Sequence, residues 1–177
     1  MPSLRPIVVA CCACALASLV VARPQTQTAT PSGAASRFIG TWALVNYESS
    51  DPDSQRARGA RPIGILFYDR TGRMAVQIAP DRPRRRFTGP MSGVFTGPRP
   101  TPDEALDAIA GYGAYFGTYT VDERAQAVTH RRVGNLNPGG IGDFVRRYEF
   151  PTADRLVLVP QDATDIRTVR LTWERQQ

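Results

Sequence analysis

From Arg37 onward the chain is written in short apolar runs that alternate with polar residues and break at Gly, Pro, Asn or Asp about every ten residues. A period of two is the period of a strand, so the body reads as antiparallel β structure. The strands fall at about Phe38 to Glu48, Ile63 to Tyr68, Met74 to Ile78, Tyr115 to Val121, Val128 to Val133, Phe144 to Phe150, Leu156 to Val159 and Ile166 to Glu174. Three tight connections join neighbours: Asp69-Arg70-Thr71-Gly72, Asp122 to Ala127, and Pro151 to Asp154. Gly72 supplies the positive φ that the first of these needs. Eight strands in sequence order predict an all-β fold, an eight-stranded antiparallel up-and-down barrel that closes to remove its own edges.

One segment breaks the pattern. Ala79 to Pro100 is rich in Pro, Gly and Arg and is too broken to be a strand. It leads into Thr101-Pro102-Asp103-Glu104, which has capping-box spacing with Pro in the first turn, ahead of Ala105, Leu106, Ala108, Ile109 and Ala110. The expectation is one short helix, about Pro102 to Ala110, inside an insertion across one end of the barrel.

The first 22 residues carry one charge at Arg5 and then an uncharged run from Ile7 to Ala22 ending in small residues. This reads as a signal peptide over residues 1–22, which makes the protein exported, periplasmic or secreted. The run is roughly 16 residues against about 20 for a spanning helix. A retained anchor, or a lipoprotein processed at Cys11, are the competing readings. Residues 23–36 lack large apolar groups and read as a disordered linker, leaving 37–177 as the barrel domain. All three cysteines, Cys11, Cys12 and Cys14, lie in the signal segment, so the exported body would hold without disulfides.

Composition narrows the chemistry. The chain contains no Lys, which excludes Schiff-base and pyridoxal catalysis, and a single His, which excludes a histidine-rich metal centre. No metal and no cofactor are expected. Arg82, Arg84, Arg85 and Arg86 concentrate the excess positive charge, but with only Phe87 beside them they read as a solvated loop, not a nucleic-acid surface. No stable membrane insertion is expected once the signal is removed.

Gly40-Thr41-Trp42-Ala43-Leu44-Val45 at the start of the first strand and Trp173-Glu174-Arg175 at the end of the last resemble the lipocalin pattern, in which an Arg packs against the Gly-x-Trp indole. Further stretches are Pro62-Ile63-Gly64-Ile65-Leu66-Phe67-Tyr68-Asp69, Gly72-Arg73-Met74, Ala114-Tyr115-Phe116-Gly117-Thr118-Tyr119, Thr129-His130, Asn137-Pro138 and Arg146-Arg147. Together they resemble the bacterial and fungal lipocalin-like domain family over about Phe38 to Arg175. The resemblance implies a small barrel of calycin type and carries no settled activity. The Arg/Pro-rich insert departs from it.

Strand parity suggests what lines the interior. If Trp42 points in, Leu44 and Asn46 follow. The more apolar rows on the next strands are Ile63, Ile65, Phe67; Met74, Val76, Ile78; and Tyr115, Gly117, Tyr119, Val121. Val128, His130 and Arg132 share one face, and Phe144, Arg146, Tyr148 and Phe150 another. An Arg in an aromatic row needs an acceptor, which is a carboxylate, a carbonyl or a ligand's anionic group; the competing readings turn Arg146 outward and leave Val145 in the core, or pair it with Asp143 or Glu149 at the rim. His130 is the default proton-transfer residue by its ordinary pKa, or a hydrogen-bonded structural residue. Asn46, Phe67, Met74, Tyr115, Tyr119, Arg146 and Tyr148 are the candidate ligand-binding residues, and His130 with Arg146 the candidate catalytic pair.

Two functions follow. One is an exported barrel binding a small, mainly apolar or amphipathic molecule. The other is a cofactor-free isomerase or cyclase that uses His130 and Arg146 in the same cavity. A barrel filled by its own side chains and used as an interaction module is a third.

Overall fold

A computed structural model describes residues 33–93, 97–161 and 168–177 of the chain. In chain order the elements are α1 (Ala34–Phe38), β1 (Gly40–Ser49), α2 (Pro52–Arg58), β2 (Ile63–Tyr68), β3 (Arg73–Ala79), β4 (Met91–Ser92), β5 (Gly97–Pro98), α3 (Pro102–Ile109), β6 (Gly113–Asp122), β7 (Ala127–Asn135), β8 (Gly142–Glu149), β9 (Arg155–Pro160) and β10 (Val169–Arg175). Eight of the strands close into an antiparallel barrel in the order β1-β10-β9-β8-β7-β6-β3-β2, the up-and-down topology read from the sequence. The β2–β3 hairpin turns at Gly72 with φ 81°, a conformation that an L side chain resists.

The barrel has a closed end and a mouth. At the closed end α1 delivers Phe38 into the interior, where it is wholly buried. Its ring stands edge-on to Tyr68, Tyr148 and Phe150 at centroid distances of 5.3, 5.0 and 5.1 Å. Trp42 packs beside Phe150 and donates its indole N–H to the Phe38 carbonyl at 2.8 Å, so this large ring is buried with its polar atom satisfied. The Arg175 guanidinium lies 4.1 Å over the Trp42 ring and donates to the Ile39 and Arg37 carbonyls. That clamp ties both ends of the barrel domain together and seals the end.

The mouth collects α2, the described part of the insert and the β7–β8 loop. Arg58 at the end of α2 extends over the Tyr47 ring, 5.4 Å from its centroid, and toward the Ile78 carbonyl. A Cβ on Gly113 would lie 3.0 Å from that guanidinium, so the missing side chain is what makes room for it. The insert is tied to α2 as well. Arg82 pairs with Asp107 of α3 at 2.7 Å and donates to the Ala57 and Ala110 carbonyls, so it is a clamp and not part of a solvated basic loop. The capping box on α3 is present in full, with Glu104 also accepting from Thr88.

Several expectations change. The described residues hold three short helices where one was expected. Asp51 caps α2 with Pro52 at its start, yet α2 buries no residue, so hydrophobic periodicity is silent there. The Ala79 to Pro100 stretch contains the two-residue ladder β4–β5. Residues 34–36, read as the end of the linker, are helical because Phe38 anchors them. The expected signal peptide and residues 23–32 of the expected linker lie outside the described residues, as do Ile166 and Arg167.

Two parity expectations fail. Asn46 is exposed, because β1 pairs Leu44 with Trp173 but Asn46 with Thr172. Val45 is the extra residue of a bulge, and the inward position passes to Tyr47. Phe67 is 43% exposed, with Ile63 and Ile65 on the same outer face. Trp42 pairs with Leu66 and Gly40 with Tyr68, and paired residues share a face, so Leu66 and Tyr68 point in. The stripe on β2 with more apolar residues is therefore the outer one.

Candidate functional site

The interior above the aromatic plug is lined from β3 by Met74, Val76 and Ile78, all buried, and from β9 and β10 by Leu156, Leu158, Leu171 and Trp173. The polar groups cluster on β6, β7 and β8, with the Tyr68 hydroxyl reaching them from β2. A bulge at Phe116/Gly117 re-aims this stretch, and the Arg131 carbonyl approaches so closely that a Cβ on Gly117 would stand 1.9 Å from it. Only glycine fits there.

His130 is fully buried, and both ring nitrogens are engaged. Nε2 is 2.6 Å from the Tyr68 hydroxyl and Nδ1 is 3.1 Å from that of Tyr115. Burial, reinforced by the Arg146 and Arg132 guanidiniums, holds the imidazole pKa well below its ordinary range, so the ring is neutral at physiological pH. Burial likewise raises the Tyr68 hydroxyl well above its ordinary value, with Tyr115 adding to the effect and Arg146 opposing it. The three side chains form a hydrogen-bonded chain across the barrel.

Two guanidiniums flank that chain. Arg132 lies 4.2 Å from the Tyr115 ring centroid and 3.6 Å from that of Phe144. Arg146 is 5% exposed, lies 5.6 Å from the Tyr115 ring, and donates Nη1 to the Phe144 carbonyl at 3.0 Å. Asp143, the acid considered for it, faces outward and pairs with Arg131, while Glu149 pairs with Arg170.

Of the residues named from sequence, Met74, Tyr115, Arg146 and His130 come together in the interior. Tyr119 and Tyr148 belong to the closed end. Tyr119 packs on Tyr68 and donates its hydroxyl to the Asp69 carbonyl at 2.9 Å, while Tyr148 packs on Phe38. Asn46 and Phe67 lie outside the barrel wall. Tyr68 and Arg132 complete the polar group but were not among the residues chosen. Arg132 sits two positions from His130 on one strand face, which was the available signal, whereas Tyr68 was hidden by the parity of β2.

The arrangement suits binding better than proton transfer, since neither nitrogen of His130 is left facing a substrate. Among the described residues no group of three or more His, Cys, Asp or Glu is placed to hold a metal ion. None of the described helices is long and apolar enough to cross a membrane.

A family model described as a lipocalin-like domain matches residues 39–176, and no curated protein matches the chain.

Proposed function

We propose that this chain, which belongs to the lipocalin-like domain family, is an exported protein that binds a small, mainly apolar molecule inside the barrel. The observation that carries the reading is a gradient of exposure along the interior. Phe38, Trp42 and Tyr68 at the closed end are 0% exposed, whereas the inward-facing Leu44, Tyr47 and Leu171 nearer the mouth keep 8, 8 and 9%. Water reaches the apolar side chains of the upper barrel, and an apolar ligand gains by replacing it there. The signal-like residues 1–22 support export to the periplasm or medium.

A neutral fluorescent probe, N-phenyl-1-naphthylamine, tests the binding reading. Emission is expected to rise on mixing with purified protein and to stay low with Leu171→Trp, which fills the upper barrel. Val145→Trp on the outer wall keeps the wild-type response. Equal enhancement by all three proteins, or none by wild type, refutes an interior site. Intact mass of the protein recovered from its host tests export, with loss of residues 1–22 the expected result.

A further inference from the structure

Arg146 brings a charge into the barrel that the fold does not balance. A guanidinium has five N–H donors and remains charged at any pH a protein survives. Burying one without an acceptor is costly, so buried arginines are normally met by a carboxylate. Arg146 is 95% buried by its 5% exposure, and among the described residues no carboxylate pairs with it. Among the described residues its one hydrogen bond is from Nη1 to Phe144 O. Nε and Nη2 make none, yet neither is among the sealed polar atoms, so both remain in reach of a water-sized molecule inside the barrel.

The surroundings select what those two donors take. Burial keeps His130 and Tyr68 neutral, and Arg132 adds a second positive charge across the Tyr115 ring. The other buried inward residues on β3, β9 and β10 are apolar but for the sealed indole N–H of Trp173. Nε and Nη2 present two parallel N–H groups, the fork that matches the two oxygens of a carboxylate. A phosphate ester would bring nearly two negative charges and a firmly held hydration shell into an apolar tube with one available fork.

We infer that the molecule bound in the barrel carries a carboxylate, received by Nε and Nη2 of Arg146, with its apolar remainder against Val76, Ile78, Leu158 and Leu171. This rests on the small-ligand reading above and narrows it to an apolar carboxylic acid.

The experiment is competition for the neutral probe by three ligands of equal chain length: decanoate, decanol and decylamine. Wild type is expected to bind decanoate at least about tenfold more tightly than decanol, with decylamine weakest. Arg146→Gln brings decanoate down to the level of decanol and leaves decanol unchanged. Equal affinities for acid and alcohol in wild type, or an acid preference that survives Arg146→Gln, overturns the inference while leaving small-ligand binding in place. Failure of the probe and all three ligands to bind wild type refutes the small-ligand reading, and this one with it. Should Arg146→Gln fail to fold, the wild-type series alone decides, and decylamine binding as tightly as decanoate overturns the proposal.

Discussion

The two ends of the barrel solve opposite problems with the same residue types. At the closed end, aromatic rings meet edge to face around Phe38, the Trp42 N–H finds the Phe38 carbonyl, and Arg175 is consumed by two backbone carbonyls. In the upper barrel the rings are spread along the wall, apolar side chains keep some contact with water, and Arg146 retains two unused donors. A saturated guanidinium seals, and an unsaturated one receives. The contrast places stability at one end and recognition at the other.

Truncation separates the ends most sharply. Trp42→Ala is expected to cost about 3–5 kcal/mol in denaturant unfolding, because it opens a cavity in rigid packing and strands the Phe38 carbonyl. Leu171→Ala, where water already reaches the side chain, is expected near the low end of the usual range, about 2 kcal/mol. Equal losses at both sites would erase the division of labour.

Acid acts at the boundary between the ends. The His130 pKa is depressed by burial in the folded protein, so below the ordinary imidazole value of about 6.5 the unfolded chain binds a proton that the folded one refuses. Stability is therefore full above about pH 6.5 and declines as pH falls toward the depressed folded value, by at most about 1.4 kcal/mol per pH unit. His130 is the only histidine, so His130→Gln flattens the slope between about pH 5 and 6.5. A variant with the wild-type slope would show that the ring is not held neutral.

The smallest effect belongs to the insert. Asp107 is held ionised by the Arg85 backbone N–H and by Arg82, a clamp local to the insert and α2. Asp107→Ala is expected to speed amide exchange over residues 82–110 while leaving the unfolding midpoint unchanged. A lowered midpoint would make the insert part of the barrel's cooperative unit.

These contrasts were only partly visible in the sequence. Strand number, the Gly72 turn and the α3 capping box follow from local patterns whose physical cause is also local, whereas the Trp42–Arg175 contact, between the first and last barrel strands, came from the family resemblance. His130 and Arg146 face inward on β7 and β8, as alternation there suggests. Alternation failed where tertiary pairing decides. In β1 the bulge at Val45 shifts parity without any Gly or Pro to announce it. In β2 both faces are apolar, and the pairing of Trp42 with Leu66 selects the inner one. Tyr68 was lost with that choice, and with it the partner that engages Nε2 of His130.

The neutral ring of His130 has one proton for two nitrogens, so its tautomer couples the two tyrosines it bridges. With the proton on Nδ1, the ring donates to Tyr115, whose own hydroxyl hydrogen is released toward the lumen, and Tyr68 donates to Nε2. With the proton on Nε2 every arrow reverses and Tyr115 spends its hydrogen on the ring. An acceptor lodged beside Tyr115 therefore selects the Nδ1–H form, and a donor selects the other. The imidazole thus records the hydrogen-bonding polarity of the occupant, and its nitrogen chemical shifts are where that record is read.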